Sequence, residues 1–269
     1  MKLSTKNNKT VVVFHRCGGK SLGYPPNTIL TAKWANKNGA RSIEYDIVAC
    51  KDDNQYKIAV IEPKLIKQAN LDINNLQWSD VSRINTGNEK YGDCKAPLLE
   101  EMLSVIDNTK TSHQIHIKGN NPDIIKELLP KLKSLTDYLV TSFDILFLKE
   151  LKSFNQKIPV GWIVKPKQEK GNEGLEDLTA TVSADANNMD SYSDSELEEI
   201  LKEAKNNLID VIILCGPKIK NKKIVDTVKE AGFQIGAWGV GTNIGLAKTL
   251  ITYNLDRFTL DNPEELELN

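Results

Sequence analysis

Glu44 and Asp46 stand two residues apart inside an apolar run, Ile43-Glu44-Tyr45-Asp46-Ile47-Val48. In a β-strand alternate side chains share a face, so the two carboxylates point the same way. Held side by side they repel each other and raise each other's pKa unless a cation sits between them. Oxygen donors of this kind suit a hard divalent ion such as Mg²⁺ or Ca²⁺. Paired surface acids on an edge strand would be the plainer reading, but the apolar neighbours argue against solvent exposure. Upstream, a second apolar run, Val11-Val12-Val13-Phe14, ends in His15-Arg16. That places an imidazole, able to carry a proton near neutral pH, beside a permanent cation.

The elements that must position these groups alternate along the chain. Strand candidates are 10–15, 42–48, 57–62, 113–118, 138–141, 159–164, 179–183, 209–215, 233–239 and 257–260. Helical patterns lie between them, which favours an α/β fold with a parallel sheet. Ten strands exceed the eight of a (β/α)₈ barrel, and 179–183 is the expected surplus. Asn121-Pro122 predicts a helix start, with Ile125, Leu128, Leu129 and Leu132 on one face and Pro130 ending or kinking it. Ser193-Asp194-Ser195-Glu196 predicts a capping box ahead of Leu197, Ile200, Leu201 and Ala204. The polar stretch 165–177 reads as a loop. The chain has 269 residues and 40% apolar content, normal for one barrel domain, with a small insertion expected around 64–97.

A net charge of −1 gives no electrostatic case for binding nucleic acid or an anionic membrane surface. No apolar run approaches membrane-spanning length and the first ten residues lack a secretory core, so no transmembrane segment is expected. The four cysteines, Cys17, Cys50, Cys94 and Cys215, show no CxxC spacing, and with only three histidines a zinc site is not expected from them. Reduced thiols fit a cytoplasmic protein, although a chain trimmed of its signal would look the same. Oligomeric state is not legible.

Several short motifs follow in order: His15-Arg16, Pro25-Pro26-Asn27-Thr28, Glu44-Tyr45-Asp46, Val60-Ile61-Glu62-Pro63, Pro97-Leu98-Leu99-Glu100-Glu101, Ile115-His116-Ile117-Lys118, Ser142-Phe143, Trp238-Gly239-Val240 and Thr259-Leu260-Asp261-Asn262-Pro263. This series resembles the glycerophosphodiester phosphodiesterase family, whose pattern reads HRG, ENT, ExD, HD, P-T-L-E-E, IEIK, SF, WTVN and TDxP. The resemblance covers nearly the whole chain. It implies a (β/α)₈ barrel of the phospholipase-C-like phosphodiesterase type. It also implies hydrolysis of a small-molecule glycerophosphodiester to glycerol 3-phosphate and an alcohol. In that chemistry a divalent ion neutralises phosphodiester oxygens while a pair of histidines moves protons. By this match His15 is a catalytic histidine and Arg16 the phosphate-side arginine. Glu44 and Asp46 are metal ligands, Lys118 is a cation aimed at the substrate, and Trp238 shapes the apolar wall of the pocket.

Three departures fall on important positions. Glu62 stands for the second catalytic histidine, His116 for the third metal-binding glutamate, and Pro26 for the glutamate of ENT. In addition Cys17 replaces a glycine, and Gly241 breaks the WTVN run. The first two changes look like an exchange, and they leave two arrangements open. Either Glu62 joins Glu44 and Asp46 around the ion while His116 carries protons opposite His15, or His116 is the ligand and Glu62 the acid–base group. An imidazole ligand shifts preference from Mg²⁺ or Ca²⁺ towards Mn²⁺ or Zn²⁺. The rival to an enzyme is an inactive or weak barrel that binds a phosphorylated ligand with the same residues. His113 is expected at a surface or strand edge, Cys17 as a small buried thiol, and Trp34, Trp78 and Trp162 as packing.

Overall fold

A computed structural model describes residues 10–166 and 189–267. The expected strand at 179–183 and the part of the expected loop beyond 166 lie outside the described residues. By its contacts the chain divides into two compact units, one built on Phe14–Leu139 and one on Val140–Asn269 that also takes in Val11–Val13.

The strands appear in the order β1 (Val11–Phe14), β2 (Ser42–Asp52), β3 (Gln55–Val60), β4 (Leu76–Gln77), β5 (Ser112–Ile117), β6 (Tyr138–Ser142), β7 (Val160–Ile163), β8 (Val211–Cys215), β9 (Gln234–Trp238) and β10 (Arg257–Leu260). In the first unit β2 is the central element, parallel to β5 with Glu44 opposite Gln114 and Asp46 opposite His116. Parallel strands buried on both faces read as continuous apolar runs. That explains why every residue from Ser42 to Cys50 is buried, acids included.

Among the described residues, β3 and β4 are the strands additional to an eight-strand set, β3 falling on the expected strand 57–62. β3 runs antiparallel to β2, with Asp52 opposite Gln55 across a tight turn. Asp53 takes the left-handed conformation there (φ 52°), which its short polar side chain tolerates. The hairpin lets β2 run four residues past its expected end at 48. β4 then adds a short parallel pairing to β2 at Cys50 and Lys51. Segment 64–97 contributes Ile66, Leu76, Val81 and Ala96 to a small apolar cluster on Val48, Cys50, Ala59 and Ile61. Its tip also reaches the loop that follows His15-Arg16. Asn88 Nδ2 donates to the Gly23 carbonyl (2.9 Å), Tyr91 Oη to the Leu22 carbonyl (3.2 Å), and the Tyr24 and Tyr91 rings stack at 4.5 Å.

The helix predicted at Asn121-Pro122 is Asp123–Leu132, with Asn121 Oδ1 accepting from the Asp123 amide (3.0 Å). It runs through Pro130 to Leu132 and does not stop there. In the second unit β6 to β10 form a parallel series. Among the described residues, each α-helix between these strands starts at an oxygen-bearing cap: Asp144, Ser193, Asn221 and Asn243. These caps satisfy amides that the first helical turn leaves unpaired. Ser193 and Glu196 form the predicted capping box, at 3.1 and 2.9 Å. Gly241 adopts a positive φ (58°), so the residue that breaks the WTVN run serves the turn into the helix capped by Asn243.

His113 is not at the surface. It is fully buried, on the face of β5 opposite His116, and its Nδ1 lies 3.1 Å from the Tyr45 hydroxyl. The expectation failed because β5 is buried on both sides. Burial lowers the His113 pKa from 6.5 to about 4, against a small opposing pull from Asp137. Between those values the unfolded chain binds a proton that the folded chain refuses. Stability is therefore full above pH 6.5 and falls as pH drops towards 4, by on the order of 3 kcal/mol in all. Urea midpoints at pH 7 and pH 5 should differ more for wild type than for His113→Gln. Equal differences would show that this imidazole does not titrate against folding.

Candidate active site

The site residues of the first unit come from within β2 and from the ends of β1, β3 and β5. Beyond β1 the chain turns sharply through Arg16, Cys17, Gly18 and Gly19, all at positive φ (50°, 74°, 75° and 74°). A non-glycine residue pays on the order of 1 kcal/mol or more for this conformation, so the usual glycine at position 17 has a backbone reason. Cys17 is buried, as expected, and burial with the nearby Glu44 and Asp46 charges pushes its thiol pKa well up. The turn aims the Arg16 amide at Glu44 Oε2 (2.8 Å) and lays its guanidinium on two acids. Arg16 Nε lies 3.3 Å from Asp46 Oδ2, and its terminal nitrogen bonds Glu62.

Glu44, Asp46 and His116 converge, offering one donor atom each, all within 4.8 Å of one another. The parallel register is the cause, since it sets Asp46 beside His116 on one face. His116 Nδ1 is 3.5 Å from Glu44 Oε1 and 3.4 Å from Asp46 Oδ1. Lys118 Nζ stands 3.1 Å from Asp46 Oδ1, and His15 Nε2 3.9 Å from Glu44 Oε2. Burial alone would raise the Asp46 pKa. Lys118 and then Arg16 outweigh it and hold Asp46 below the usual carboxylate range. Burial, then Lys118, lowers the His116 pKa despite the two carboxylates, which favours neutral imidazole, the form that binds metal.

These residues fit a divalent cation on their own chemistry. Glu44 Oε1 and Asp46 Oδ1 are buried and neither receives a hydrogen bond of good geometry, the Lys118 ammonium lying 3.1 Å from Asp46 Oδ1 as an ion pair. Buried acceptors are ordinarily satisfied, so two of them facing one imidazole nitrogen are what an ion would complete. Glu62 is not part of this group. It follows β3 by two residues at the start of the helix Pro63–Gln68, where its carboxylate meets Arg16.

Trp238 belongs to the second unit. It ends β9, its Nε1 donates to the Val164 carbonyl (3.0 Å), and Phe143 meets it edge-on at 5.4 Å. Phe143, Trp162, Lys165, Tyr192 and Glu196 line a pocket in that unit. Sequence reasoning assigned no role to Asn27, which sits against Asp46, although the residue was visible in the Pro25-Pro26-Asn27-Thr28 run.

Solved structures share the fold at low identity. A glycerophosphodiester phosphodiesterase from Agrobacterium tumefaciens aligns with TM-score 0.68 and 17% identity over 96% of this chain and 98% of its own. A phosphodiesterase from Oleispira antarctica, solved with the product sn-glycerol-3-phosphate, aligns with TM-score 0.71 and 17% identity over 95% and 94%. The Thermotoga maritima glycerophosphodiester phosphodiesterase gives TM-score 0.66 and 18% identity over 94% and 96%. The shared fold is a closed barrel of eight parallel strands with helices. No curated protein matches the chain significantly in sequence. The glycerophosphoryl diester phosphodiesterase family model matches residues 15–265, and the chain belongs to that family. It is thus a phosphoric diester hydrolase. Among the described residues no helix is long and apolar enough to cross a membrane.

Proposed function

We propose that this enzyme hydrolyses a small-molecule glycerophosphodiester to glycerol 3-phosphate and an alcohol, with a divalent ion held by Glu44, Asp46 and His116. The observation that carries this reading is the pair of buried, under-bonded carboxylate oxygens turned towards His116. When bound, the ion supplies positive charge to the phosphoryl oxygens. Arg16 and Lys118 add two fixed cations beside it, the first with a planar fork suited to two phosphoryl oxygens. His15, next to Glu44, carries the proton to or from the bridging oxygen. Glu62 is the second proton carrier and, through its bond to Arg16, also orients that guanidinium.

The imidazole in the ligand set favours Mn²⁺ over Ca²⁺, with Mg²⁺ usable. Free thiols at Cys17, Cys50, Cys94 and Cys215 suit a cytoplasmic setting. Titration calorimetry with Mn²⁺ tests the site. Wild type should bind one ion, and the double variant Glu44→Ala with Asp46→Ala should show no measurable binding. Unchanged binding in the double variant would remove these residues from the ion's shell.

A further inference from the structure

We infer that Asn27 is a positioning residue for the ion, setting the affinity of the site by locking Asp46 from two sides; this rests on the proposed ligand set. Asn27 is 1% exposed. Its Nδ2 donates to Asp46 Oδ2 (3.0 Å), and its Oδ1 accepts from the Asp46 backbone amide (3.2 Å). One side chain therefore fixes both the carboxylate and the main chain of the same residue. The bond to Oδ2 leaves Oδ1, the oxygen next to His116, as the one turned towards the cluster.

The residue type is dictated by these contacts. Aspartate could accept from the amide but would bring a like charge to Oδ2. Glutamine would be too long for both bonds at once. The backbone adds a further demand, because Asn27 has φ 58°, a conformation that asparagine tolerates better than most residues. Its own amide donates to the Arg16 carbonyl (3.1 Å). Asn27 thus ties the turn that carries Arg16 to the strand that carries Asp46. Hydrogen bonds that orient a metal-ligating group commonly change affinity by roughly 10–100-fold when lost.

The test is Mn²⁺ titration of metal-free wild type, Asn27→Ala and Asn27→Asp, with thermal melting of each metal-free protein. Asn27→Ala should bind Mn²⁺ at least about tenfold more weakly. Raising Mn²⁺ should restore most of its turnover, since Asn27 touches no reacting atom. Asn27→Asp keeps the size and the amide contact, and covers the case in which the alanine variant does not fold. It should fold with altered Mn²⁺ affinity. Wild-type affinity in both folded variants would overturn the inference while leaving the ligand set intact. If wild type itself binds no Mn²⁺, the ligand set fails and the inference falls with it. Weakened affinity that tracks a collapsed melting temperature in both variants, with no rescue by Mn²⁺, would reduce Asn27 to a folding role and also overturn it.

Discussion

His15→Ala should lower turnover about a hundredfold or more while the fold survives. The imidazole sits just past the end of β1 and not within a strand, although only 12% of its side chain is exposed, so folding of the variant is checked alongside turnover. It stands 3.9 Å from Glu44 Oε2, beside the proposed ion ligands. Affinity for Mn²⁺ should stay close to wild type, because His15 is not among the converging donors. A drop in kcat with unchanged ion binding would mark a proton carrier. Retained turnover in a folded His15→Ala variant would assign proton transfer to another group.

The second large effect concerns the paired departures at Glu62 and His116. His116→Glu alone sets a third carboxylate against Glu44 and Asp46, which repel it until an ion arrives. Glu62→His alone removes the acid that Arg16 bonds, leaving the guanidinium to Asp46. Each single change should cost activity by an order of magnitude or more, through separate faults in one charge network. The double variant keeps the total charge of the group and restores the family arrangement. It should be at least as active as wild type, with a stronger preference for Mg²⁺ over Mn²⁺. Hydrolysis by all four proteins under each ion measures the coupling. Strictly additive losses, ending in a dead double variant beside an active wild type, would show that the two positions do not trade roles.

Much of this site was legible because strand periodicity is strict. Glu44 and Asp46 had to share a face, and the order of short motifs brought His15, Arg16, His116 and Lys118 into view. The parallel register that sets Asp46 beside His116 was not legible, since it depends on pairing between distant segments. That register distinguishes the geometry of His116, among the converging donors, from that of Glu62, which meets Arg16. His113 was misplaced because a lone histidine on a strand carries no mark of which strands will bury it. The β3 hairpin was hidden for a related reason, as an apolar run ahead of Glu62 looks the same whether its neighbour runs parallel or antiparallel. Asn27 was overlooked because its importance lies in two bonds to a residue far along the chain.

The most direct test of the account is release of glycerol 3-phosphate from a panel of glycerophosphodiesters. Metal-free protein would be assayed first, then again after addition of Mn²⁺, Mg²⁺ or Ca²⁺. The account predicts no release without an ion, restoration by Mn²⁺ and to a lesser degree Mg²⁺, and loss of that restoration in the Glu44→Ala, Asp46→Ala double variant. Binding of the diesters without glycerol 3-phosphate release under any of the three ions would contradict it, and would favour a barrel that only holds a phosphorylated ligand.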